Sequence, residues 1–293
     1  MNRISRFAVL AAVVLLAAPM TVRAAVTNGR TVDELLQLLD DSDQSIRAQA
    51  AKGLREYAPT DARVSERLGA IMDDGQDSVF VRKEAIKSLS VAASRSDDLR
   101  RRMIAAAREG KNMDQVRAIA CKALYTTLAA ASPAADTRDA LLALLSASNE
   151  RPAVRAAAAW GLFPDAPSNA KTQEALLSAA ADQWLDAGAR VEAIRSLYFT
   201  LDRNLKTQES LRGLADEVMT PLPARYASVV VFHRVNTDGA VRDWLQGLAR
   251  AASPDQIRSA AILAQTEALT EELARYFHVS SFDGRVLDPL ADE

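Results

Sequence analysis

One short pattern recurs seven times in this chain: an apolar residue, an arginine, and small or apolar residues three, four and seven places beyond the arginine. The pairs are Ile46-Arg47, Val81-Arg82, Val116-Arg117, Val154-Arg155, Ala189-Arg190, Ala224-Arg225 and Ile257-Arg258, separated by 35, 35, 38, 35, 35 and 33 residues. A near-constant period of this length is the mark of a stack of supersecondary units, each burying its apolar face against the next. It also accounts for 293 residues in one body, because a stack has no single core to outgrow.

Each unit reads as two helices. The chain is 49% hydrophobic but only 5% aromatic, with 11 Gly and 10 Pro, so its apolar content is mostly Ala, Leu and Val. Ala and Leu head the helix-propensity ranking, and the class is all-α. Before each arginine motif lies a second amphipathic pattern, such as Leu35, Leu36 and Leu39, or Leu68, Ile71 and Met72. These three- and four-residue spacings mark one face of a helix. Thr31 with Glu34 forms a capping box. Ser253, Pro254 and Gln256 form another start signal, and Pro152 and Pro223 stand at the beginning of second helices. The run Ser228 to Phe232 has strand propensity, but its place in the register predicts helix.

The register sorts the second helix into faces. With the apolar anchor as position zero, positions four, five and eight share one arc and are predicted to be buried: Ala50, Ala51 and Leu54 in the first repeat, and their counterparts through Ala193, Ile194 and Leu197 in the fifth. Position seven is nearly always small, as close helix packing requires. Cys121 falls on the buried arc, where a small core residue is expected.

A helical hairpin of about 35 residues whose second helix starts V-R-x-x-A-x-x-x-L resembles the HEAT-like repeat family, over residues 31 to about 268. A loop Asp before the arginine is matched by Asp43, Asp77, Asp114, Asp186 and Asp255, while repeats four and six depart from it, with only Glu150 near the former. The resemblance implies a right-handed superhelical α-solenoid of about seven hairpins, with second helices lining a concave surface often used to hold another protein. The expected units are 31–59, 62–94, 96–131, 134–165, 169–203, 206–236 and 238–268. A helix at 269–278 is expected to cap the open end, and 279–293 to be an irregular tail.

Residues 1–24 stand outside the repeats. Arg3 and Arg6 precede an apolar run from Phe7 to Ala18, then Pro19 and Val22-Arg23-Ala24, the order of a signal peptide cut after Ala24. The run is short for a bilayer span, so no stable membrane span is expected after cleavage. Loss of Arg3, Arg6 and Arg23 leaves 33 basic against 38 acidic side chains, a net charge of −5, which argues against nucleic acid as a partner. A single cysteine in an exported chain fits a bacterial periplasm.

Arg47, Arg82, Arg117, Arg155, Arg190, Arg225 and Arg258 are expected to pair with the preceding loop acids and staple neighbouring repeats. Position six, opposite the buried arc, reads Lys52, Lys87, Lys122, Trp160, Arg195, and position nine adds Tyr125, Phe163 and Tyr198. Together they form the candidate partner-binding face, since exposed aromatics beside arginine typify hot spots. The alternative is that the aromatics pack between repeats and the lysines are solvated. No nucleophile motif, phosphate loop or metal-ligand cluster is legible around His233 and His278, so no catalytic residue, cofactor or metal is expected. The expectation is an exported, non-enzymatic scaffold holding a protein or peptide on its concave face. A structural part of an envelope or secretion assembly, or an accessory enzyme resembling phycobilin lyases, are the alternatives.

Overall fold

The computed structural model describes residues 29–250, 254–279, 281–282, 285–286 and 290; the expected signal segment lies outside them. The helices follow one another in antiparallel pairs: α1 (Val32–Leu38) with α2 (Gln44–Gly53), α3 (Ala62–Asp73) with α4 (Val79–Ala93), and α5 (Asp97–Arg108) with α6 (Asp114–Ala123). A one-turn helix α7 (Tyr125–Leu128) precedes α8 (Ala135–Ser146) with α9 (Pro152–Gly161), α10 (Ala170–Ala181) with α11 (Ala187–Ser196), α12 (Leu205–Asp216) with α13 (Leu222–Val230), and α14 (Gly239–Arg250) with α15 (Asp255–Ala264). A short α16 (Glu271–Tyr276) and a two-stranded hairpin, Ser281–Phe282 against Arg285–Val286, end the described chain. The fold is an all-helical repeat solenoid. No helix among the described residues is long and apolar enough to cross a membrane.

Local signals set the helix starts. The Thr31–Glu34 capping box forms, and Asp43, Asp61, Ser78, Ser96, Asn169, Asp186, Asn204 and Thr270 each accept a first-turn backbone N–H. Pro152 opens α9, whereas Pro254 is the residue before α15. The Ser228–Phe232 run is helical, α-helix to Val230 and then a tighter 3-10 turn over Val231–Val235.

Along the stack the second helices form the spine. Ala50, Ala51, Leu54, Ala85, Ile86, Leu89 and their counterparts are buried in one continuous core. Position seven meets the backbone of the preceding repeat, which is why it stays small. Ser88 Oγ donates to the Ala51 carbonyl at 2.8 Å and Ser196 Oγ to the Ala159 carbonyl at 2.9 Å. A Cβ at Gly161 would stand 2.5 Å from the Cys121 carbonyl oxygen, a distance no packed atom tolerates. Burial pushes the Cys121 thiol up to about 12, so it is a packing group with no thiolate at neutral pH.

The arginine ladder closes each hairpin and reaches forward, not back. Nε of Arg82, Arg117, Arg155, Arg190 and Arg225 donates to the carbonyl ten residues earlier, at 3.1, 3.0, 2.9, 2.8 and 2.9 Å. Each thereby satisfies an orphan carbonyl at the end of its own hairpin's first helix. The remaining nitrogens meet the next repeat's loop: Arg47 with Asp77 at 2.6 Å, Arg82 with Asn112 at 2.9 Å, and Arg117 with both oxygens of Glu150. Arg155 lies 3.7 Å from Asp182. This corrects the expected pairing with the preceding loop acid. Asp43 and Asp186 are occupied as helix caps, while Arg258 keeps the expected acid, Asp255, at 2.6 Å.

The chain's end departs from the expected cap as well. Tyr276, Phe277 and His278 fold back onto the second helices of earlier repeats, reaching Trp160 and Phe163. Leu290 is buried beside Lys52, Phe80 and Lys87 of the first two repeats. The C-terminal segment therefore returns along the concave side.

Candidate active site

The concave side of the second helices carries another layer of chain over Trp160, Phe163 and Tyr198. Tyr276, Phe277 and His278 supply it. Phe277 is fully buried and lies parallel to Tyr198, with ring centroids 3.9 Å apart and an interplanar angle of 9°. The His278 ring packs 4.9 Å from Trp160 and 5.1 Å from Phe163. Tyr125 closes the cluster, 5.4 Å from Trp160 and 5.8 Å from Phe163. Such aromatic pairs contribute about 0.5–1.5 kcal/mol each beyond their burial.

His278 adopts a φ of 60°, the left-handed region that a non-glycine residue enters only when its surroundings hold it there. The hold is polar. Its Nε2 lies 3.4 Å from Oε2 of Glu192, while Oε1 of Glu192 accepts from Nη1 of Arg195 at 2.6 Å. Arg195 Nε donates to the Tyr276 carbonyl at 2.6 Å, and its guanidinium stacks 4.4 Å over the Tyr276 ring. Lys122 sits 5.8 Å over Trp160. A second imidazole, His233, meets the Tyr198 hydroxyl through Nδ1 at 3.1 Å.

Burial pushes His278 down to about 4, against the upward pull of the Glu192 carboxylate. Burial also opposes ionisation of Glu192, but the neighbouring His278 ring and the Arg195 and Lys122 charges outweigh it and hold the carboxyl below its ordinary value. Near neutral pH the site therefore carries an ionised carboxylate against a neutral imidazole. Below pH 6.5 the unfolded chain takes up a proton that docked His278 refuses until about 4. Docking of the C-terminal segment should weaken over that window by up to about 3 kcal/mol. Loss of the Glu192 contribution below 4.5 acts in the same direction. Hydrogen exchange of the 271–279 amides at pH 7, 6 and 5, corrected for intrinsic rates, checks this, and His278→Gln should flatten the dependence.

Glu192 also lines a concave cleft of about 280 Å³ with Lys83, Asp114, Gln115 and Lys122 over a floor of Ala118, Ala153, Ala156 and Ala157. The cleft draws on α4, α6, α9 and α11, and its size suits a small ligand. The alanine floor follows from the repeat, and the charged rim does not.

The expected partner-binding residues divide accordingly. Tyr125, Trp160 and Phe163 do come together, with Tyr198 joined to them through Phe277 and His278, but Trp160, Phe163 and Tyr198 are buried beneath those two residues. Arg195 is turned to Glu192 and Tyr276, and Lys87 is buried in a 2.8 Å pair with Glu84. Lys52 is exposed, and Lys122 is half-buried. The open aromatic face is thus corrected to an internal one. Glu192 escaped sequence reasoning because it lies outside positions six and nine, and His278, outside the repeats, is weighed in the sequence and set aside for want of a ligand cluster.

No family model matches the chain, and no curated protein matches it. Among solved structures it is similar to human deoxyhypusine hydroxylase in complex with glycerol, at 16% identity over 80% of this chain and 82% of that one, with a TM-score of 0.37. It is also similar to the complex of CpcE and CpcF of phycocyanin lyase from Nostoc sp., at 17% identity over 85% and 93%, with a TM-score of 0.46. A structure of the cadherin and beta-catenin interaction matches at 20% identity over 80% and 52%, with a TM-score of 0.38. These likenesses concern the helical-repeat fold alone. The expectation of a non-enzymatic scaffold, drawn from the usual use of such solenoids, is corrected: architecture gives no ground for excluding catalysis, and the concave face meant for a partner holds the chain's own end.

Proposed function

We propose that the chain is an enzyme acting on a small carboxylated molecule, taken into the cleft between α4, α6, α9 and α11, where the Glu192–His278 pair moves a proton. One observation carries this reading: a buried imidazole lies 3.4 Å from a carboxylate that also lines a cleft of about 280 Å³. A carboxylate that orients an imidazole is the usual support for a general base. The ammonium groups of Lys83 and Lys122 are the cations that would meet the ligand's carboxylate, on a rim they share with Asp114 and Glu192. Such a ligand beside Glu192 would lift the His278 pKa from about 4 toward the working range, since a nearby negative charge favours the imidazolium.

The test works whatever product forms. A pool of small hydroxy, keto and unsaturated carboxylic acids is incubated with the protein in D2O, and loss of C–H signal is followed by proton NMR. At least one acid should exchange or turn over, with the rate falling on the order of 100-fold in Glu192→Gln and His278→Gln. No exchange across the pool, or equal exchange in both variants, contradicts the reading.

A further inference from the structure

In each hairpin the loop joining first helix to second places one residue five positions before the apolar anchor. In the first four repeats that residue is Asp41, Gln76, Lys111 and Asn149. In the fifth and sixth it is Trp184 and Met219, and these are 88% and 87% exposed, with Val218 beside them at 80%. The loops belong to adjacent hairpins, so the two side chains stand one repeat apart on the same rim, about 10 Å by helix packing. Polar residues serve the turn in the first four repeats, so the loop does not require these hydrophobes. Large exposed apolar residues gathered at one place mark an interaction site.

The exposed charge of these two loops is one-sided, the nearby Arg190 being buried. Asp182, Asp186, Asp216 and Glu217 flank the apolar residues, and neither 182–187 nor 216–222 contains a lysine or arginine. Asp182 lies 3.7 Å from Arg155, while Asp186, Asp216 and Glu217 are exposed. An anionic lipid surface would be repelled by this rim. A two-fold pairing of the rim with a second copy would set the same carboxylates against one another.

We propose that the rim formed by the α10–α11 and α12–α13 loops is a docking surface for a short segment of a partner protein that carries an apolar anchor flanked by lysine or arginine. The anchor covers Trp184 and Met219, and the basic flanks meet Asp186, Asp216 and Glu217. This surface is separate from the concave cleft and does not depend on any chemistry there.

Two fluorescent peptides, Lys-Lys-Leu-Trp-Leu-Lys-Lys and Glu-Glu-Leu-Trp-Leu-Glu-Glu, serve as probes against the full chain in anisotropy titrations. The lysine peptide should bind at least tenfold more tightly than the glutamate peptide, and more weakly as salt rises. The pair Trp184→Ser with Met219→Ser should cost at least tenfold, as should Asp216→Lys with Glu217→Lys, with helicity unchanged by circular dichroism. Equal binding of the two peptides, or binding indifferent to both double variants, overturns the proposal. So does self-association, or binding to neutral vesicles, that is lost in Trp184→Ser while the lysine peptide fails to bind.

Discussion

Replacing Phe277 with alanine is expected to release the C-terminal segment from the concave face. The side chain is fully buried and stacked on Tyr198, and a buried Phe→Ala change costs about 3–5 kcal/mol. The loss falls on local docking, because Phe277 lies outside the helical stack and its neighbours on that face are repeat residues that remain paired among themselves. The undocked population should rise on the order of 10²–10⁴-fold. Trypsin cleavage at Arg275, an exposed residue of a short helix, reports that population when opening is fast relative to cleavage. A matching rise in cleavage rate, with the urea midpoint of the helical stack little moved, is the expected result. An unchanged rate would mean that the segment is held by something other than this stack of rings.

Replacing Asp165 with alanine should damage the stack itself. Asp165 is 1% exposed in the turn after α9, and it accepts from Arg138 Nε at 2.8 Å and Nη2 at 2.7 Å, as well as from the Thr172 hydroxyl. Arg138 lies on α8 and Thr172 on α10, so one carboxylate ties the first helices of successive repeats. Its removal leaves a guanidinium and a buried hydroxyl without partners, the case in which breaking a buried pair costs about 3–5 kcal/mol. Asp40→Ala, which removes an exposed partner of Arg67, should cost under about 1 kcal/mol. Urea unfolding of the two variants beside the wild type gives the comparison, and equal midpoints for both would refute the assignment.

Legibility in the sequence followed the repeat. The 35-residue period carried the helix pairs, the buried arc and the small position seven, because each of those facts is restated in every repeat. Gly161, Ser88 and Ser196 show why: one packing constraint, a carbonyl of the preceding repeat, acts at the same register each time. The direction of the arginine pairs was not legible, since Asp43 and Asp186 suit a helix cap and an ion pair equally well by position. The concave face was misread for a related reason. Its aromatics were correctly gathered by counting along the second helix, but their cover comes from Phe277 and His278, which occur once, beyond the repeats. A single unrepeated segment leaves no register from which its docking place can be counted. Glu192 was missed with it, because an acid on a helix face means little until a histidine 86 residues later in the chain is placed against it.

That the C-terminal segment completes the concave face is tested most directly by nuclear Overhauser contacts between selectively labelled aromatic rings in the intact chain. With Tyr198 and Phe277 centroids 3.9 Å apart and Trp160 and His278 centroids 4.9 Å apart, both pairs should give strong cross-peaks, with the His278 ring protons shifted upfield by the flanking rings and not titrating between pH 7 and 5. Absence of both cross-peaks, with His278 titrating near its ordinary value, would contradict it.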